Sequence, residues 1–175
     1  MTSNVELQTR RRVVAIIAGA FGTLAAARIA QGQQPEMKPA PSKAANQERT
    51  SLHQEIDLSA SPQRIYDILM DSRKFAAVTG LSAEIDPVPG GAFKTFGGVI
   101  EGRNVELIPS QRIVQAWRPA YWDPGFYSLV HFELKAHEAG TILILDHTGF
   151  PEGDFDHLDA GWYLRYWNPL KKYIS

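Results

Sequence analysis

The chain has 175 residues, a net charge of −1 and a sequence pI near 6.5, so bulk charge draws neither nucleic acid nor anionic lipid. It contains no cysteine, which excludes disulfides, thiolate metal sites and cysteine nucleophiles. With 44% hydrophobic and 21% charged residues, it has the make-up of a globular protein with one core.

The first segment reads as an address. Thr9-Arg10-Arg11-Arg12-Val13-Val14 leads a basic cluster into an uncharged, Ala- and Gly-rich stretch ending at Ala27. That stretch is shorter than the roughly 20 apolar residues that span a bilayer. Ala30-Gln31-Gly32 follows as a small-x-small cleavage pattern. Residues 1–32 therefore read as an export signal. The Thr-Arg-Arg-x-apolar-apolar order resembles the twin-arginine type, which implies a bacterial protein in the periplasm or secreted. The alternative is an uncleaved N-terminal helix that tethers the domain to the membrane. Residues 33–50, with Pro35, Pro39 and Pro41 among polar residues, read as a flexible linker.

Residues 51–175 read as one folded domain. Leu52, Ile56 and Leu58 alternate with His53, Glu55 and Asp57, as in a half-buried strand. Ser61-Pro62 opens a helix, and a second short helix runs over Arg73 to Val78, ended by Gly80. Strands follow at Leu81 to Ile85, Ala92 to Phe96, Val99 to Ile108, Arg112 to Arg118, Phe126 to Lys135 and Thr141 to Thr148. Gly, Pro and Asp turns separate them, which favours an antiparallel meander. From about Asp154, Leu158, Trp162, Tyr166, Leu170 and Tyr173 recur at helical spacing. Pro169 predicts a kink or split in that helix. The fold class is α+β, with one long helix against a curved sheet of about six to seven strands.

Several segments carry a resemblance. Ala60-Ser61-Pro62, Gly90-Gly91-x-Phe93 and Gly97-Gly98-x-Ile100-x-Gly102 are similar to helix-grip domains of the START-like (SRPBCC) superfamily. So are Arg112-Ile113-Val114-Gln115-x-Trp117-Arg118, Gly140-Thr141-x-Leu143-x-Leu145-x-His147 and Gly161-Trp162. Within the superfamily they resemble the branch named for the activator of the heat-shock-protein-90 ATPase. The resemblance implies an apolar cavity between sheet and terminal helix, in a superfamily that includes lipid carriers, hormone binders, cyclases and hydrolases. An exported domain would not meet a cytosolic ATP-driven chaperone, so the branch name is not expected to describe its role. Fold alone does not transfer function.

Alternation, with the family pattern, points Thr141, Leu143, Leu145 and His147 inward, and likewise Ser128, Val130, Phe132 and Leu134. The candidate ligand-binding residues are Trp117, Phe132, His147, Trp162 and Tyr166, aromatic walls with one polar contact. Each also has a plainer reading as core packing, with His147 a satisfied interior histidine. Asn104 and Glu106 share a strand face with Ile100 and Gly102. Glu106 is a buried carboxylate if that face is concave and a surface charge if it is convex. His131 reads as solvated.

The run Glu152, Asp154, Asp156, Asp159 with His157 lacks a calcium-loop glycine and has Arg165 where the closing acid should stand. It reads as helix N-terminal acids, not as a metal site. The glycine pairs read as turns, so no cofactor is implied. The sequence thus leads to an exported domain that binds a small apolar or amphipathic molecule. Metal, nucleic acid and membrane are not expected partners, apart from the export signal. Two alternatives stay open: a hydrolase or acid/base-assisted isomerase or cyclase using His147 or Glu106, and a protein-interaction module with a solid core.

Overall fold

The computed structural model describes residue 46 and residues 48–175; the segment read above as an export signal and most of that read as a linker lie outside the described residues. Strand β1 (Ser51–Leu58) alternates in burial residue by residue, with Leu52, Gln54, Ile56 and Leu58 inside. The Ser61 hydroxyl then accepts from the Arg64 N–H, and Pro62 fills the first position of helix α1 (Pro62–Met70). Asp71 ends α1 and caps α2 (Ser72–Thr79), its carboxylate accepting from the N–H groups of Arg73 and Lys74.

The chain next forms β2 (Glu84–Ile85), β3 (Ala92–Thr95), a 3₁₀ turn (Phe96–Gly98) and β4 (Ile100–Ile108). β5 (Arg112–Pro119), β6 (Ser128–His137) and β7 (Gly140–Thr148) complete the meander. Among the described residues the seven strands make one antiparallel sheet, ordered β1-β7-β6-β5-β4-β3-β2. β2 is shorter than the expected Leu81 to Ile85. The Ser82 carbonyl instead accepts from the Gly97 N–H (2.9 Å) of the 3₁₀ turn, which takes it out of the β2–β3 ladder. β6 begins at Ser128 because the Phe126 N–H closes a turn onto the Asp123 carbonyl.

The inward sets of β6 and β7 are those that alternation and the family pattern together indicate: Ser128, Val130, Phe132 and Leu134 face Thr141, Leu143, Leu145 and His147, and all are buried. β4 differs. A bulge at Val105 shifts the register from Asn104↔Gln115 to Glu106↔Val114. Asn104 stays inside, donating to the Asp86 carbonyl (2.8 Å) and accepting from Gln115 (2.9 Å). Glu106 is turned outward, 3.5 Å from Arg112. The face shared by Asn104 and Glu106 in the sequence pattern is thus broken by one extra residue. Two residues earlier, Gly102 is required: a Cβ there would stand 2.0 Å from the Ala116 carbonyl oxygen and 2.5 Å from Phe93 Cζ.

The terminal helix crosses the concave face. It runs as α3 (Phe155–Trp162), a five-residue π-helical segment (Tyr163–Trp167) and α4 (Asn168–Ile174). The disturbance expected from Pro169 takes the form of this widened turn. Pro169 has no N–H, and its ring crowds the carbonyl four residues back, so the preceding turn opens and the Asn168 N–H reaches Tyr163. Widening brings Trp162 and Trp167, five residues apart, to the same side. Their rings stack 5.6 Å apart at 16°.

Candidate functional site

A half-open pocket of about 290 Å³ lies where the terminal helix passes the upper end of the sheet. Phe96, Val99 and Ile100 come from the 3₁₀ turn and the start of β4, and Trp117, Pro119 and Tyr121 from the end of β5 and the turn after it. The helix contributes His157, Leu158, Gly161, Trp162, Arg165 and Tyr166. These helix positions fall into three successive pairs one turn apart, so one helix face forms a whole wall. The lining is mostly apolar, and the volume is at the lower end for small-molecule sites.

Gly161 is the informative position in that wall. Glycine inside a helix costs about 0.5–1 kcal/mol relative to alanine. Such a cost is usually justified by close packing, yet a Cβ on Gly161 would meet nothing within 4 Å. The missing side chain leaves space that belongs to the pocket.

Behind the pocket the aromatic rings form a continuous cluster. Trp162 has its centroid 4.3 Å from Tyr166 and 5.7 Å from each of Trp117, Phe132 and His147. Phe96 stands edge-on to both Phe75 (5.2 Å) and Tyr166 (4.9 Å), with its own backbone at φ +55°. Edge-to-face and offset arrangements of this kind stabilise beyond simple burial.

His147 is fully buried and belongs to a polar chain through this cluster. The Trp162 indole can only donate, so its N–H to His147 Nδ1 (3.2 Å) fixes the imidazole proton on Nε2. Nε2–H donates to the Ser128 hydroxyl (2.7 Å), which donates to the Trp117 carbonyl (2.9 Å). Each polar atom has a partner while the ring is neutral. Burial holds the imidazole far below its ordinary range, at about 3. A neutral histidine with both nitrogens engaged fixes the wall residues Trp117 and Trp162 in place.

The five candidate residues therefore occupy distinct layers. Trp117, Trp162 and Tyr166 line the pocket. Phe132 lies deeper, against a separate void of about 20 Å³ that Tyr166 also borders. His147 is behind the wall, and Glu106 is on the outer surface, so neither lines the pocket. His131 is half-buried on the outer face, 4.0 Å from Asp146. The sequence reading missed Gly161 and Arg165, although both fall on the helical stripe through Leu158, Trp162 and Tyr166. It also missed the 3₁₀ turn, whose contribution depends on tertiary position.

The polar groups at the pocket are few. Burial pushes the Tyr166 hydroxyl up to about 12, and it is flanked by Trp117 Nε1 and Thr95 Oγ1, neither of which has a hydrogen-bond partner. At the rim, the Tyr121 hydroxyl and the Trp122 indole both donate to Asp154. Two further acids of that run also have partners. Asp156 accepts from Asn46 (3.0 Å), and Asp159 accepts from Gln54 (2.8 Å), whose carbonyl in turn accepts from the Trp167 indole. Among the described residues no three His, Asp or Glu side chains converge on a metal-sized site.

Known proteins share this architecture. The sequence is 31% identical over 121 residues to an activator of 90 kDa heat shock protein ATPase homolog from Dictyostelium discoideum, covering 68% of this chain and 31% of that protein. The chain spans about a third of the length of the curated relatives it matches. The crystal structure of an HSP90 activator from Plasmodium falciparum superposes with a TM-score of 0.68 at 24% identity, covering 71% of this chain and 96% of that one. CalU16 from Micromonospora echinospora superposes at 0.61 with 21% identity, covering 71% and 76%. Residues 59–175 match the family described as Activator of Hsp90 ATPase homolog 1-like protein. With its seven-stranded sheet, its gripped helix and this match over most of the folded domain, the chain belongs to the Activator of Hsp90 ATPase homolog 1-like family.

Proposed function

We propose that this domain binds a small apolar or amphipathic molecule in the pocket between the 3₁₀ turn and the terminal helix. The observation that carries the reading is Gly161, a helical glycine with open space beyond it on an aromatic wall. Trp117, Trp162 and Tyr166 supply the binding surface. His147 and Phe132 act one layer behind it, holding those rings in position. The reading is a binding role: His147 and Glu106, the two proton carriers considered from the sequence, do not line the pocket, and His157, which does, is solvent-exposed and edge-on to Tyr121 (5.9 Å).

The neutral fluorophore N-phenyl-1-naphthylamine tests this. It binds the full chain saturably at one site. Gly161→Leu, which directs a side chain into the pocket, abolishes that binding and leaves the fold intact. Gly161→Ala keeps the fold, occupies little of the volume and stabilises the domain by about 0.5–1 kcal/mol through helix propensity. Equal binding by the wild type and Gly161→Leu would reject the assignment.

Residues 1–32 are proposed to direct the domain out of the cytoplasm. The support is the order of basic cluster, apolar stretch and small-residue site. Replacing Arg10 and Arg11 by lysine is expected to leave the protein in the cytoplasmic fraction of a host with a twin-arginine pathway. Unchanged fractionation argues against that route. The relatives named as activators of the 90 kDa heat shock protein ATPase are matched over only about a third of their length, and an exported domain would not meet a cytosolic chaperone.

A further inference from the structure

We infer that the molecule taken by the pocket carries an anionic head group, a carboxylate, which pairs with Arg165 at the rim while its apolar body lies against the aromatic wall. This rests on the binding reading above and adds the chemistry of the ligand.

Arg165 lines the pocket and is solvent-exposed, in the middle of the π-helical segment. Some cations of the domain have acidic partners: buried Arg118 with Glu101 (3.2 Å) and, at the surface, Arg112 with Glu106 (3.5 Å), Lys74 with Asp67 (3.5 Å) and Lys135 with Glu133 (3.4 Å). Arg64, Arg73, Lys94, Lys171 and Lys172 have none within 4.0 Å among the described residues. Of these cations none lines the apolar pocket, as Arg165 does. Among the described residues Arg165 has no carboxylate within 4.0 Å. The helix offers none at the spacings that meet on its surface: Gly161 and Trp162 precede Arg165, and Asn168 and Pro169 follow it. The nearby acids Asp154, Asp156 and Asp159 accept hydrogen bonds from Trp122, Asn46 and Gln54.

A cation on the wall of an apolar pocket, next to the space left by Gly161, is arranged for an amphiphile. The planar guanidinium fork matches a carboxylate with two parallel hydrogen bonds. Its methylene stem extends the apolar wall.

The test is a tryptophan-fluorescence titration of the full chain with decanoate and with decan-1-ol, probes of one chain length that differ in the head group. Trp117 and Trp162 report from the wall. Decanoate is expected to bind about tenfold more tightly than decanol at low salt, as for a charge-assisted hydrogen bond. Arg165→Gln brings decanoate down to the affinity of decanol in the same variant, whereas Arg165→Lys keeps part of the preference. Equal affinity for the two probes in the wild type, or a preference that survives Arg165→Gln, overturns the head-group assignment. Failure of decanoate where N-phenyl-1-naphthylamine binds overturns the head group alone. Failure of all three probes overturns the pocket reading with it.

Discussion

Replacing Trp162 by alanine is expected to lower the unfolding free energy by about 3–5 kcal/mol. That is a large part of the roughly 5–15 kcal/mol that holds a domain of this size together. Trp162 is 2% exposed and touches rings on β5, β6, β7 and its own helix, so truncation opens a cavity that no single neighbour can fill. It also removes the donor to His147 Nδ1, leaving a buried acceptor unpaired. Trp162→Phe separates the two effects: it keeps most of the packing and loses the hydrogen bond, at about 1–3 kcal/mol. Leu164, two residues further along the helix and 68% exposed, provides the control, with Leu164→Ala within about 0.5 kcal/mol of the wild type. Urea unfolding of the three variants measures these differences. A Trp162→Ala cost no larger than that of Leu164→Ala contradicts the described core.

Acid should unfold the domain through His147 before its carboxylates are fully protonated. In the unfolded chain this histidine takes up a proton near pH 6.5, and in the fold it does so only near 3. Between those values the unfolded state binds the extra proton, so stability rises with pH and is lost as pH falls below 6.5. The slope for one proton is about 1.4 kcal/mol per pH unit, which gives about 2–3 kcal/mol between pH 6 and pH 4. His53 works in the opposite direction, because its hydrogen bond to Asp146 raises its folded value. That pair is exposed and solvent-screened, so it offsets little. Urea midpoints of the wild type and His147→Gln from pH 4 to pH 8 test this. The wild-type curve falls more steeply below pH 6.5, and parallel curves contradict the assignment. Carboxylate titration is common to both proteins and cancels in the difference.

The parts of the fold that could be read from sequence are those governed by short-range periodicity. Period two together with the family pattern placed His147 and Phe132 inside β7 and β6, and helical spacing joined Leu158, Trp162 and Tyr166 on one face. The features that escaped depend on a single inserted residue or on tertiary placement. The extra residue at Val105 turned Glu106 from a possible interior carboxylate into a surface ion pair, and no local composition marks a bulge of that kind. Gln54, which the strand pattern left unassigned, is buried because Trp167 and Asp159, more than a hundred positions away, complete its hydrogen bonds. Pro169 announced a helix defect, but its form as a π-helical turn follows from which carbonyl the next donor can reach. The ring-lined pocket was partly legible. Its aromatic wall could be named from spacing, whereas its defining gap at Gly161 and its rim cation Arg165 became meaningful only with the 3₁₀ turn opposite them.

The central claim is that this pocket holds a molecule in the protein's own setting. Native mass spectrometry of the chain, purified from its host without detergent, tests it most directly when wild type and Gly161→Leu are compared. The wild type is expected to carry a reproducible added mass that leaves on denaturation and is absent from Gly161→Leu. A bare polypeptide mass for both proteins, or the same added mass on both, would contradict it.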